Sequence, residues 1–97
     1  MRGYELSPEA LADLQDIWVY IAKDNLAAAD QLESDIYEAC ALLVKSPQLG
    51  HKRTDLTREP VLFWPVRGHY LVIYLLATKP LKVVRILHAG RDARASL

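Results

Sequence analysis

Four side chains near one end of the chain, Arg85, His88, Arg91 and Asp92, have the types and spacing to do chemistry. They surround the end of an otherwise apolar run, Leu81 to Leu87, in which a single arginine interrupts the alternation and a tight polar cluster follows. A buried strand seldom carries a guanidinium unless that side chain has a role beyond packing. Arg85 alternates with Val83 and Leu87, so its head should be partly sheltered and needs an acceptor: Asp92, a carbonyl oxygen or a ligand. Histidine is the side chain suited by type to proton transfer near neutral pH, so His88 could act as a general acid or base. A lone histidine at a strand end is more often hydrogen-bonded in a structural role, however, and Arg91 and Asp92 are at hand as partners. No Walker loop, CxxC pair, HExxH or nucleophile elbow accompanies the cluster.

The cluster lies in the basic half of a polarised chain. Residues 1–49 hold three Lys or Arg against nine Asp or Glu, and residues 50–97 hold nine against three, so formal charges of -6 and +6 cancel. If Lys52, Arg53, Arg58, Arg67, Lys79, Lys82, Arg85, Arg91 and Arg94 converge, their field attracts a polyanion or an acidic partner. The acidic half would repel phosphate over much of the surface, which favours an acidic protein over RNA. Asp30, Glu33, Asp35 and Glu38 fall at helical spacing and read as a solvated outer face rather than as paired catalytic carboxylates. Trp18 lies on an apolar stripe and is expected in the core, whereas Trp64, beside Pro65, could anchor a partner.

The elements that must position these groups are legible from caps and periods. Ser7, Pro8 and Glu9 form a helix start worth about 1 kcal/mol for the cap alone. Leu11, Leu14, Ile17, Trp18 and Ile21 then mark an apolar stripe with Asp13 outside it, which predicts a helix over Pro8 to Lys23. Asn25 caps a second helix, whose apolar positions from Ala29 to Leu43 run to Lys45 before Pro47. After a polar loop the period changes to two. Val61 to Val66 and His69 to Ala77 read as strands about a turn at Arg67 and Gly68, Pro65 marking an edge or bulge. Leu81 to His88 is the last strand, with Val83, Arg85 and Leu87 on one face. With Gly3 to Leu6 as a first strand, the order β-α-α-β-β-β predicts an α+β fold: a small twisted, mostly antiparallel sheet with an N-terminal helical hairpin packed on it.

Length and composition set the outer bounds. At 97 residues one domain, spanning 1–97, is expected, and 52% hydrophobic with 25% charged residues is an ordinary globular balance. No apolar run approaches the roughly 18 residues of a membrane span, and the N-terminus has no secretory pattern, so a cytoplasmic address and no membrane partner are expected. Cys40 alone excludes an internal disulfide and reads as a small core residue. No cofactor or metal site is indicated.

The order and spacing of several pieces resemble the ParE branch of the RelE/ParE toxins of bacterial type II toxin–antitoxin systems, also called plasmid stabilisation proteins. The pieces are Leu6-Ser7-Pro8-Glu9-Ala10 with Asp13-Leu14, Ile17-Trp18 and Tyr20-Ile21, then Ser46-Pro47 and Gly50, Phe63 to Tyr74, and Val84 to His88 with Arg91-Asp92. The resemblance covers nearly the whole chain and implies the same fold. RelE-like relatives cut messenger RNA on the ribosome, using arginine or lysine for the phosphate and a tyrosine, histidine or glutamate for proton transfer. ParE-like relatives poison DNA gyrase and lack that set. Leu71 stands three residues before Tyr74, where the RNA-cutting branch commonly has arginine, and no tyrosine or histidine follows Arg91.

The resemblance therefore implies a gyrase-inhibiting toxin without catalytic residues. Two alternatives are a ribosome-dependent endoribonuclease using Arg67, Arg85 and His88, and a non-toxic relative that only binds antitoxin and helps repress an operon. The implied partner is a cognate antitoxin whose disordered tail folds on binding in a hetero-oligomer, with DNA reached only indirectly, through antitoxin or gyrase. Apolar residues on both faces of the central strand suggest an incompletely covered sheet that such a tail wraps, touching Trp64, Arg67, Tyr70 and Arg85. His88 and Arg91 are then the residues expected to face gyrase.

Overall fold

The computed structural model describes residues 3–76 and 78–90. Ser7 caps helix α1 (Pro8–Ala22), its hydroxyl accepting the Ala10 N–H at 3.0 Å with Pro8 in the first turn. Asn25 does the same for α2 (Leu26–Lys45) through the Ala28 N–H at 3.0 Å. Around this hairpin lie β1 (Tyr4–Leu6), β2 (Val61–Val66), β3 (Tyr70–Leu75) and β4 (Leu81–His88). They form one sheet in the order β1-β4-β3-β2, with β1 parallel to β4 and the other pairs antiparallel. The α+β order expected from the sequence is present, and the differences lie in which residues face inward.

On α1 the buried face is Ala10 and Leu14, with Ile17 and Ile21 packed against the core, so it is rotated from the stripe read in the sequence. Leu11 is 52% exposed. Trp18 is not a core residue: it is half-buried and donates its indole N–H to Asp30 Oδ1 at 2.9 Å across the hairpin. The one polar group of the indole thus finds an acceptor at the rim of the hairpin. Asp13, three residues after Ala10 and four before Ile17, falls on the sheet-facing side.

Asp13 meets β4 at a bulge. Ile73 pairs with Arg85 but Tyr74 pairs with Val83, leaving Val84 as the extra residue. This shift breaks the expected alternation. Val83 joins Ile86, Val72 and Tyr74 in the core beneath the helices, while Leu87 packs with Leu71, Ile73, Phe63 and Val61 on the opposite face. Leu56 from the preceding loop, Leu75 and Val84 pack against that second cluster. Both faces of β3 are therefore buried, and the open sheet surface expected from its apolar residues is absent. Cys40 is fully buried, as its neighbours suggested.

The bulge's polar groups are taken up by the start of α1. The Ser7 N–H donates to Val83 O at 2.9 Å, and its hydroxyl donates to Val84 O at 2.8 Å. Asp13 accepts from Arg85 Nε at 2.7 Å, Arg85 Nη2 at 2.9 Å and the Ile86 N–H at 3.0 Å. Arg85 thus has a carboxylate acceptor 72 residues away on α1; Asp92, the acceptor weighed from the sequence, lies outside the described residues.

Tyr74, with no exposed surface, ties the loop after α2 to the sheet. Its hydroxyl donates to Pro47 O at 2.5 Å and accepts the Gly50 N–H at 2.8 Å. A Cβ at Gly50 would lie 2.8 Å from Leu62 Cβ and nearer still to the Tyr74 hydroxyl, so the backbone approach admits only glycine. Burial raises the Tyr74 phenol above its usual value of 10.0, opposed by the Gly50 hydrogen bond.

The outer edge of β2 is closed residue by residue. The Phe63 N–H and C=O are both bonded to His51 at 2.8 Å, the Val61 N–H goes to Glu59 O at 2.8 Å, and Pro65 has no N–H.

Two stability measurements test these contacts. Asp13→Ala and Arg85→Ala should each cost about 1 to 3 kcal/mol in denaturant unfolding because either leaves a sheltered polar group without its partner. The double variant should lose less than the sum of the two, and full additivity would show that the pair is not coupled. Tyr74→Phe should likewise cost about 1 to 3 kcal/mol by stranding Pro47 O and the Gly50 N–H. Because the folded-state ionisation of Tyr74 is raised, its stabilisation holds below about pH 10 and is lost as pH rises further. The phenylalanine variant should show a shallower alkaline decline, and an identical decline in both proteins would remove Tyr74 as its source.

Candidate functional site

The turn between β2 and β3 carries two residues in the left-handed region, Arg67 at φ 55° and Gly68 at φ 73°, closed by the His69 N–H to Val66 O at 3.3 Å. Glycine suits that conformation and arginine does not. Arg67 gains from its side chain, which crosses to α2 and donates from Nε to Asp35 Oδ2. Gln31 Nε2 donates to the other oxygen of Asp35 at 2.9 Å. These two bonds, Arg67 first, hold the Asp35 carboxyl below its usual range. Asp35 is therefore not on a free outer face: its side chain is 20% exposed, against 55% for Arg67.

Beside this pair runs a groove of about 380 Å³ between α2 and β2, lined by Glu38, Leu42, Trp64 and Pro65 as well as the two charged residues. Leu42 is 43% exposed. Trp64 is half-buried against the helical core, and its ring stacks on His51 with centroids 6.3 Å apart. Two of the four residues expected to touch an antitoxin, Trp64 and Arg67, thus share one concave surface. Tyr70 is the cross-strand partner of Val66, which also lines the groove, and is half-buried. Arg85 stands apart, clasped by Asp13 with its side chain 29% exposed.

His88 ends β4 opposite Tyr70, whose ring meets it edge-on at 5.4 Å, and His69 stacks on it at 6.4 Å. The Gly90 N–H points at His88 Nδ1 at 3.2 Å, which assigns the ring proton to Nε2 in the neutral form. Arg91, paired with His88 in the expected target surface, lies outside the described residues. Of the three residues weighed for nuclease chemistry, Arg67 is bound to a carboxylate on α2 and Arg85 to one on α1, so each cation is already partnered within the fold. Leu71 is buried in the second core cluster. Among the described residues no three His, Cys, Asp or Glu side chains gather as a metal site.

Asp13 and Asp35 were the residues missed from the sequence. Asp13 had a usable signal, since it shares helical spacing with Ala10 and Ile17, but the more prominent leucine and tryptophan positions drew the stripe one step round the helix.

The chain matches the family described as "ParE toxin of type II toxin-antitoxin system, parDE" over residues 4–93. It is 26% identical to Toxin ParE1 of Caulobacter vibrioides, across 100% of this chain and 99% of that protein. Toxin RelE2 of the same organism is 34% identical over 82 residues, covering 84% of this chain and 89% of the relative. Among solved structures, a chain of the chromosomal ParDE toxin–antitoxin system from P. aeruginosa superposes with a TM-score of 0.70 at 20% identity, over 88% of this chain and 92% of that one. This likeness extends the shared fold beyond the reach of close sequence identity. With the family match spanning nearly every described element, the chain belongs to the ParE toxins of type II toxin–antitoxin systems, within the RelE/ParE superfamily.

Proposed function

We propose that this toxin arrests growth by binding DNA gyrase, without catalysis of its own, and that a cognate antitoxin neutralises it. The observation that carries the non-catalytic reading is the Asp13 clasp on Arg85: a guanidinium whose Nε and Nη2 are both committed to a carboxylate has little left for a scissile phosphate. The buried Leu71 supports it further, because the RNA-cutting relatives' arginine has no counterpart there. In this reading His88 and Arg91 face the target.

The antitoxin docks in the groove between α2 and β2. Trp64 supplies an aromatic anchor, Arg67 an exposed cation and Tyr70 the neighbouring ring, with Arg85 reached only at its exposed edge. An extended tail that folds against this groove gains area without needing an open sheet edge. The 34% identity to a RelE toxin favours the second reading, ribosome-dependent messenger cleavage, more than fold alone would.

Expression without antitoxin separates the readings. Growth arrest with an induced DNA-damage response and gyrase trapped on cleaved DNA is the expected outcome; cleaved messenger with normal supercoiling would establish the nuclease, and normal growth the antitoxin-binding relative. His88→Ala and Arg91→Ala should keep the melting temperature and antitoxin binding yet abolish arrest, so full toxicity in both would move the target surface elsewhere. Charge reversal at Arg67 together with Trp64→Ala should weaken antitoxin binding by about tenfold or more and flatten its salt dependence. Unchanged affinity in the folded variant would place the antitoxin on another surface.

A further inference from the structure

The loop between α2 and β2 holds a second concave surface, outside the groove and the terminal cluster. It encloses about 260 Å³ and is lined by Lys52, Arg53, Thr54, Thr57, Arg58 and Glu59. That volume is below the roughly 300 Å³ at which sites for whole small molecules begin, so it suits one chemical group of a larger ligand. The charges are unevenly committed. Arg53 is closed on Asp55 by two bonds of 3.0 Å, from Nε and Nη2, which orders the loop but cancels its charge. Lys52 and Arg58 have no ion-pair or hydrogen-bond partner among the described residues and are exposed. Thr57 Oγ1 accepts the Glu59 N–H at 3.1 Å, which leaves its own proton to donate. Glu59 is the single acid among these lining residues.

We propose that this loop binds a phosphodiester group of nucleic acid. Lys52 and Arg58, in excess over the single acid Glu59 and flanking threonine hydroxyls, offer several donors around a small concavity, a better match for a phosphate's oxygens than for a planar carboxylate, which one arginine already satisfies here in the form of Asp55. The acidic half of the chain does not forbid it. No helical residue lines the loop, and exposed charges farther than roughly 10 Å are largely screened at ordinary salt. The site therefore works as a local contact rather than as a general affinity for polyanions. It stands on this loop alone and does not depend on the choice between gyrase and ribosome, since DNA on one and messenger on the other present the same group.

The test is an amide-shift titration of the full-length, isotope-labelled chain at low salt with inorganic phosphate, a short duplex DNA, a single-stranded RNA of matched length and polyglutamate. Shifts confined to residues 52–59 are expected with phosphate and, more strongly, with one or both nucleic acids, and the tighter of the two identifies the source. Lys52→Gln with Arg58→Gln, which removes no internal bond, should weaken duplex binding about tenfold or more and reduce the slope of log affinity against log salt by about two. Shifts scattered over the surface, an unchanged affinity in the double variant, or polyglutamate moving the same amides as tightly as nucleic acid would each overturn the assignment.

Discussion

The carboxylate of Asp13 holds the architecture at its most demanding point. A bulge in an interior strand exposes carbonyls and a guanidinium that a flat ladder would satisfy by itself. Here the start of α1 supplies partners for them, Ser7 for the Val83 and Val84 carbonyls and Asp13 for Arg85 and the Ile86 N–H. The bulge in turn decides that Val83 and Leu87 face opposite ways, which allows one four-stranded sheet to bury an apolar cluster on each side. The same bond network fixes the Arg85 guanidinium against α1, so one contact both closes the bulge and docks the helix on the sheet.

What could be read from the sequence was local. Ser7-Pro8-Glu9 and Asn25 announced both helices because caps act on backbone groups three residues away. Arg67-Gly68 announced the hairpin because a tight turn needs positive φ. The Asp13 to Arg85 bond could not be read in the same way. Its partners are 72 residues apart, and an acid on a helix reads as solvated until the opposing strand is known. Trp18 and Leu11 misled for a related reason: apolar character places a side chain on a face, but the crossing of two helices decides how much of that face is covered. Of the residues expected to touch an antitoxin, Trp64 and Arg67 line one groove with Asp35, an acid that reads as solvated until its partner 32 residues away is known.

The opposite charges of the two halves acquire a meaning in three dimensions. Asp13 with Arg85, Asp35 with Arg67 and Glu5 with Lys82 each join an acid from the first half to a base from the second. Arg53 with Asp55 is the local exception. The polarity of the sequence is thus partly consumed in docking helices and first strand against the rest of the sheet. Lys52 and Arg58, in the loop before β2, are among the bases of the second half left outside these pairs.

The sealed margin of β2 bears on how the protein behaves alone. A strand edge with free N–H groups is a template on which another copy can add, and the opposite margin, β1, is only three residues long. With His51 bonded to Phe63 and a proline at position 65, the longer margin offers no run of donors for such growth. The longer border of the sheet is thus capped by the chain's own backbone, and growth of the sheet by edge-to-edge addition of a second copy at β2 has no ready template there.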